Sequence, residues 1–580
     1  MKLVKIVLLK ILQKSFKYDK LINMNIKNVL AQAIKFEVEG VNLEDLIIES
    51  ISADKGDYCL PCFSFAKVLR DNPNNIAKQA ADSVVLGELV EKCEVVGGYV
   101  NFFLNKVYVA KNIIENFSKD NFKYNEGNNK VVCIDYCSVN LAKYMHIGHI
   151  KNSFLGESLA RLFENAGYKV VRINYIGDYG TPYGKIIAGM KLWGTEEDIE
   201  KRGIDALQEY YVKFNALESE DENYKQVARD IFKKIEEKDS EIYPLYEKVI
   251  KIAIKEAERL LDILGIKFDS WKGEASYANE LDNVVKYLDS KNLLSVSEGA
   301  TVVDLSEYDM PPCLIKRSDG ASLYATRDLA AAIDRYNTYN FDKCLYLTAV
   351  EQKLHFAQFF KVLELSGAKF SSGLEHIAYG RFSLPDGKIS SRRGKQAILV
   401  DLLEYVLNKA NDVIKDRKFE IEKPQDVANK VAKSVLAFNA LNIERHKDAI
   451  FDIERAFNFD GETAPYMQYT YTRLESILRK YTETDAVADY SCLNLEAFEI
   501  IKSINTFGLV VKSALEKRDP SLILKRIMDM CKMFNKFYTT SKVLDGNDST
   551  TKAKISLVKA LRDTLSCGFN LICIETLKEM

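Results

Sequence analysis

Apolar residues Ile26, Val29, Leu30, Ala33 and Ile34 recur at the i, i+3, i+4, i+7 and i+8 positions of a single helix face. The pattern predicts a small module that starts at Met24 with an amphipathic helix. It continues through Gly56-Asp57-Tyr58, a second helix carrying Phe65, Val68 and Leu69, and the strand-like run Gly98 to Leu104, and it ends near Asn121. The run Val131 to Cys137 then has the apolar, β-branched character of a buried parallel strand. After a polar turn comes a helical pattern (Ile150, Phe154, Leu155, Leu159, Leu162, Phe163). It stops at Gly167, where a left-handed residue is expected just past the helix end. Lys169 to Ile176 reads as a second strand. Strand, helix and strand in this order predict a βαβ unit, whose ligand sites lie beyond the carboxyl ends of the strands and at the helix N-terminus.

The stretch Glu196 to Leu264 is charged and helical, an insertion into the α/β domain over about residues 196–264. Alternating elements return at Thr301 to Asp304 and Cys344 to Val350, and from Leu399 onward helical periodicity dominates. The chain therefore reads as α/β and all-α multidomain. Its expected parts are 24–121, an α/β domain over 122–398, a helical connection over 399–455 and a helical domain over 456–580. Near the end, lysines and arginines interleave with Phe534, Phe537, Tyr538 and Phe569. Cations beside aromatic platforms suit single-stranded RNA bases, and a solvated helix face fits the composition equally.

Composition narrows the class of protein. With 580 residues, 47% of them hydrophobic, and 81 Lys+Arg against 83 Asp+Glu, the chain can bury several cores and carries no general basic coat, so a polyanion must be held by local patches. Its eleven cysteines are dispersed and mostly in apolar contexts, as expected of buried thiols in the cytoplasm. Cys59 and Cys62 have zinc or redox spacing but no second pair to match, so no metal site is assigned. No apolar run is long enough for a membrane span. Residues 1–23 alternate lysines with short apolar runs and read as a basic extension or a misassigned start, with Met24 as the alternative; a chain beginning there is expected to remain active.

Two short segments carry chemistry. His146-Ile147-Gly148-His149 follows the first predicted strand in a chain with only five histidines. Imidazoles at a helix N-terminus, beside a glycine that admits a ligand to the backbone, can donate hydrogen bonds to a phosphate whose charge grows in a transition state. The second is Asp386-Gly387-Lys388-Ile389-Ser390-Ser391-Arg392-Arg393-Gly394. This cationic, glycine-bounded loop could close over a triphosphate, and by itself it also reads as a basic surface turn.

The run Cys137-Ser138-Val139-Asn140-Leu141-Ala142-Lys143-Tyr144-Met145-His146-Ile147-Gly148-His149, followed by Asn174-Tyr175-Ile176-Gly177-Asp178-Tyr179-Gly180-Thr181, resembles the signature of class I arginyl-tRNA synthetases. Lys388 to Arg392 is similar to their KMSKS segment. Gly56-Asp57-Tyr58 and Gly98 to Leu104 look like their N-terminal domain. Phe459 to Tyr471 and the ending Ala560 to Met580 look like their helical anticodon-binding domain. The chain departs from the family pattern at Val139 (usually proline), Tyr179 (usually Trp), Pro182-Tyr183 (usually Gln-Phe), Asp135 (commonly Glu) and Ser391, where many class I enzymes have a second lysine.

The resemblance implies a Rossmann-like catalytic domain flanked by a small α+β N-terminal domain that contacts tRNA and an α-helical C-terminal domain. It implies ATP, as its Mg2+ complex, and L-arginine as substrates, tRNA(Arg) as partner, no tightly bound cofactor, and a monomer. By position in the motifs it implies catalytic roles for Lys143, His146, His149 and Lys388. ATP binding falls to Gly148, Lys388, Ser390, Ser391 and Arg392, with Lys143 standing in for the missing loop lysine. A guanidinium pocket needs carboxylates and neutral acceptors, and the matching positions are Asp135, Asn140, Tyr324, Asp328 and Gln352. His355 lies close by in sequence. Tyr469, Tyr538 and Met580 are the implied tRNA contacts. Two other readings stay open here: a tRNA-binding protein without catalysis, and a shorter type of nucleotidyltransferase.

Overall fold

Val131–Asp135 (β1) is a run of five residues, the last four buried, and such a strand needs neighbours on both edges. It finds them in Lys169–Ile173 (β2) on one side and Lys343–Ala349 (β3) on the other, and Leu374–Tyr379 (β4) completes a parallel sheet in the order β4-β3-β1-β2. The chain steps from β1 to β2 on one side and later returns to the other, so the topology switches between β1 and β3. The crevice beyond the carboxyl ends of these two strands is where such sheets hold ligands. Three helices serve that crevice: Gly148–Asn165 (α1), Tyr324–Tyr339 (α2) and Lys353–Leu365 (α3). Past the end of α1, Gly167 takes the expected left-handed conformation, φ 81°. The structure, a computed structural model, describes residues 25–580 apart from 39, 51–54, 318–323, 386–397 and 416–421. The extension 1–23 and the whole of the Asp386–Gly394 loop thus lie outside the described residues.

By packing, the chain falls into two units that are not continuous in sequence. One comprises Lys123–Thr472, Val511–Met528 and Gly568–Met580; the other takes the residues up to Phe122 with Arg473–Val510 and Asp529–Cys567. The first contains the parallel sheet. Its charged stretch 196–264 is four helices, Glu196–Arg202, Ile204–Glu220, Asn223–Glu236 and Ile242–Leu264. Thr301 to Asp304 does not rejoin the parallel sheet. It falls in Ala300–Val303, the middle strand of a separate antiparallel sheet with Leu294–Ser297 and Cys313–Lys316. The reason is local: Glu298 and Gly299 both have positive φ (48° and 77°), the backbone of a two-residue hairpin turn, which sends the chain straight back on itself.

In the second unit, Ile26–Ala33 buries Ile26 and Leu30, as its periodicity predicts. The expected second helix is only one turn, Ala66–Leu69, ended by Arg70 at φ 53°, and Val68 is 58% exposed. Pro73–Asp82 packs on a four-stranded antiparallel sheet whose central strands are Tyr58–Pro61 and Tyr99–Leu104. The Phe122 ring meets Phe507 edge-on at 5.0 Å, so the N-terminal module shares this unit with the last helices of the chain. Among the terminal aromatics, Phe534, Phe537 and Phe569 are buried, and Tyr538 is the exposed one at 42%. The proposed platform is therefore mostly core, because positions 534 and 537 share the inward face of one helix. No helix among the described residues is long and apolar enough to cross a membrane.

Candidate active site

Beyond β1 the chain turns sharply at Cys137 and Ser138, both left-handed at φ 72° and 48°, a conformation costly for residues with a Cβ. Asparagines hold the turn in place. Cys137 N–H donates to Asn152 Oδ1 at 2.8 Å, and the Asn152 amide in turn donates to Leu347 O at the end of β3. Val139 N–H donates to Asn174 Oδ1. Sequence reading did not single out Asn152; a polar residue in the otherwise apolar face of α1 was the available signal.

The turn delivers both histidines to the N-terminus of α1. Gly148 N–H donates to His146 Nδ1 at 3.1 Å and His146 N–H to His149 Nδ1 at 3.0 Å. With its Nδ1 accepting, His146 carries its proton on Nε2, whereas His149 Nδ1 meets both the His146 N–H and, at 3.1 Å, the His146 carbonyl oxygen. A Cβ at position 148 would come within 2.8 Å of the His146 ring, so only glycine leaves this arrangement undisturbed. Desolvation pushes His149 down to about 3, and His146 is lowered by desolvation and then by the Lys143 charge. Both rings are thus neutral hydrogen-bond donors at neutral pH. Lys143 is exposed, one turn back, its N–H donating to Asn140 O. Asn140 Oδ1 accepts from Ala142 N–H at 3.0 Å, which sets the direction of its amide.

Ile398, the first described residue after the Lys388 loop, forms a backbone bridge with His146, and Leu399 N–H donates to Met145 O. The returning end of that loop is therefore pinned beside the histidines. Lys388, Ser390, Ser391 and Arg392 themselves lie outside the described residues.

Acidic chemistry gathers on the side of β3 and α2. Asp328 Oδ2 is 2.6 Å from His355 Nε2 of α3, and Gln352 lies exposed just past the end of β3. Tyr324 is the first residue of α2, and its side chain lies outside the described residues. Asp328 is paired with His355 rather than with its neighbour Arg327. The Arg327 guanidinium instead faces Glu274 at 3.4 Å and lies over the Tyr179 ring. Desolvation pushes Glu274 up to about 7, Arg327 opposing and the Asp328 and Asp178 charges adding to it; desolvation likewise raises Asp178 to about 6. Glu274 was missed in sequence, since nothing in Gly273-Glu274-Ala275 marks it. Asp135, the carboxylate that an apolar strand could hold only with a charged partner, has one: Arg335 Nη2 at 2.7 Å.

Of the implied tRNA contacts, Tyr469 and Met580 fall in the unit that holds the sheet and Tyr538 in the other. One face of Tyr538 is covered by the Arg473 guanidinium at 4.9 Å.

A parallel sheet switching between β1 and β3, with a neutral histidine pair at the first helix N-terminus, is the architecture of a class I tRNA synthetase catalytic domain. The family model for the class I (R) tRNA synthetase catalytic domain matches residues 112–453, that for the arginyl tRNA synthetase N terminal domain 20–104, and that for the DALR anticodon binding domain 467–580. The chain is 41% identical over 564 residues to the arginine–tRNA ligase of Clostridium beijerinckii, spanning 96% of this chain and 100% of that one. It is 40% identical over 564 residues to the arginine–tRNA ligase of Clostridium botulinum, with the same coverage. The arginyl-tRNA synthetase structure of Thermus thermophilus shares the fold, with a TM-score of 0.80 at 23% identity over 96% of this chain and 99% of that one. The chain belongs to the arginyl-tRNA synthetase family.

Proposed function

We propose that the chain is an arginine–tRNA ligase that joins L-arginine to ATP as arginyl-adenylate, releasing pyrophosphate, and then moves the arginyl group to the 2′-hydroxyl of the terminal ribose of tRNA(Arg). The observation that carries this is the division of the crevice, with neutral N–H donors at the β1 side and carboxylates at the β3 and α2 side. The substrate carboxylate is itself the nucleophile. It attacks the α-phosphate, and the ring N–H groups of His146 and His149 hydrogen-bond the oxygens on which charge grows, while Lys143 and Lys388 meet the leaving pyrophosphate. Gly148, Ser390, Ser391 and Arg392 complete the ATP site. Asp328, supported by Asp135, Asn140, Tyr324 and Gln352, takes the arginine.

The partners are L-arginine, ATP as its magnesium complex, and tRNA(Arg), and the working form is a cytoplasmic monomer. In this reading residues 24–121 contact tRNA, 122–398 catalyse, 399–455 connect, and 456–580 read the anticodon. Arginine-dependent ATP–pyrophosphate exchange, run across the amino acids with and without tRNA, tests the proposal. Exchange with arginine alone among them is expected. Tight tRNA binding without any exchange would instead mean a scaffold that has lost catalysis.

Arginine binding should depend on pH through Glu274 and Asp178. Both keep their protons to higher pH than an ordinary carboxylate, and a cation in the pocket favours their charged forms. Binding therefore releases protons, and the arginine KM should fall as pH rises through the window from about 6 to 7 set by these two groups, then level off. Glu274→Gln should flatten the upper part of this curve. An arginine KM that does not vary over this window, with the ATP KM as control, would remove the pair from the pocket.

Tyr538, 42% exposed, should stack a tRNA base. Tyr538→Ala is expected to weaken tRNA use by about 1–3 kcal/mol, read as kcat/KM for tRNA in aminoacylation, with arginine-dependent exchange otherwise normal. Unchanged kinetics would take Tyr538 out of the interface.

A further inference from the structure

Arg335 is a buried cation that the reaction as described does not use. Only 3% exposed, it lies between the rings of Tyr175 and Tyr346, 5.2 Å from the centre of each, and its Nη2 is 2.7 Å from Asp135 Oδ2. The second oxygen of that carboxylate receives Ser138 Oγ–H at 3.4 Å. Tyr346 is the β3 residue in register with Asp135, so the cation is clamped where β1 and β3 diverge. Its Nη1 has no hydrogen-bond partner among the described residues. Arg335 stands seven residues after Asp328 on α2, two turns along the same helix face. One helix therefore brings Asp328, the carboxylate proposed to bind the substrate guanidinium, to the crevice and a resident guanidinium to the other carboxylate, Asp135.

We propose that Arg335 is a positioning residue for arginine binding, acting through Asp135; this rests on the reading that Asp135 faces the arginine pocket. Asp135 is 6% exposed, so most of its surface is turned away from solvent, and a lone buried carboxylate takes up a proton and loses its attraction for a cation. Burial raises the Asp135 carboxyl above its ordinary range and the Arg335 guanidinium opposes that rise, favouring the charged form, while its short bond together with those from the Tyr175 backbone N–H and Ser138 Oγ–H orients the carboxylate. It also fills the seat that an unpaired Asp135 would offer to the substrate's own guanidinium. An arginine-binding site with two free carboxylates could hold its substrate in two registers, and with Arg335 in place Asp328 is the carboxylate left to bind the guanidinium. A buried ion pair is a weak stabilising device compared with an apolar pair of equal volume, so the arrangement is better explained by the site than by the fold.

The test compares Asp135→Asn, Arg335→Met, Arg335→Lys, Arg335→Ala and the Asp135→Asn/Arg335→Met double variant in arginine-dependent pyrophosphate exchange. Arginine KM, ATP KM, kcat and melting temperature are measured for each. Arg335→Met should raise the arginine KM about tenfold or more with the ATP KM unmoved, and the double variant should be no worse than Asp135→Asn alone. Arg335→Lys, which restores the charge, should recover part of the loss. Arg335→Ala should recover its arginine KM when millimolar guanidinium, but not ammonium, is added, because the space between the two tyrosines matches that ion. Should Arg335→Met not fold, the Lys variant and the rescued Ala variant give the same comparison. If Asp135→Asn raises the arginine KM and the Arg335 variants do not, the positioning role is wrong while the pocket stands. If Asp135→Asn also leaves the arginine KM unchanged, both the role and the placement of Asp135 in the pocket are wrong. Losses in kcat and both KM values that track melting temperature alone would reduce Arg335 to a structural residue.

Discussion

Asp328→Asn should raise the arginine requirement of adenylate formation by on the order of 10²-fold, equivalent to about 3 kcal/mol, while the ATP KM and tRNA affinity stay near normal. The substitution removes a charge and almost no volume, so packing in α2 is retained. Asp328 is the carboxylate best suited to a guanidinium. One of its oxygens is engaged by His355 Nε2 at 2.6 Å, which holds the group still, and the carboxylate as a whole keeps access to the crevice. Its neighbours have other partners: Glu274 faces Arg327 and Asp135 faces Arg335. The Asn side chain can still accept a hydrogen bond from His355, so a large effect on arginine alone would report the lost charge rather than a collapsed pocket. Arginine saturation unaltered in pyrophosphate exchange would take Asp328 out of the pocket.

What could be read from sequence, and what could not, follows the range of the interactions. The turn from Cys137 to His149 was legible because its chemistry is local: a strand, a glycine, two histidines and the start of a helix lie within a few residues. Asp135 was legible by its cost, since a carboxylate in an apolar strand needs a cation, yet the identity of that cation was not, because Arg335 lies on another element far along the chain. Glu274 was invisible for the same reason. Thr301 to Asp304 has strand composition, and a short strand carries no mark of which sheet it joins; two positive φ angles at Glu298 and Gly299 decided it. Periodicity told helix from strand over the last third, but the packing of Phe122 on Phe507 joins segments that sequence reading had assigned to separate domains. The terminal aromatics misled because burial depends on which helix face a residue shares, and Phe534 and Phe537 share the inward one.

Lys143→Ala should lower the rate of adenylate formation by roughly 10²–10³, with much smaller changes in arginine and tRNA binding, as for other donors that act on charge developing in a transition state. The loop after Asp386 offers Lys388 and then Ser391, where a second lysine would share the pyrophosphate charge, so one cation must come from elsewhere. Lys143 is placed to supply it. Its stem borders a pocket lined by Val139, Leu141, Met145, Ala257 and Leu260, so the chain can lie on apolar surface with the ammonium group kept in solvent. Its charge reaches His146, depressing that ring's proton affinity, and His146 bridges to Ile398 at the returning end of the Lys388 loop. The backbone thus brings the root of the cationic loop and the lysine-bearing turn to one place. If both lysines act on the same developing charge, the double variant Lys143→Ala/Lys388→Ala should lose less than the product of the two single losses. Single-turnover adenylate formation measures this directly. A Lys143→Ala enzyme with normal pyrophosphate exchange would move the role to Arg392 or to the magnesium that accompanies ATP.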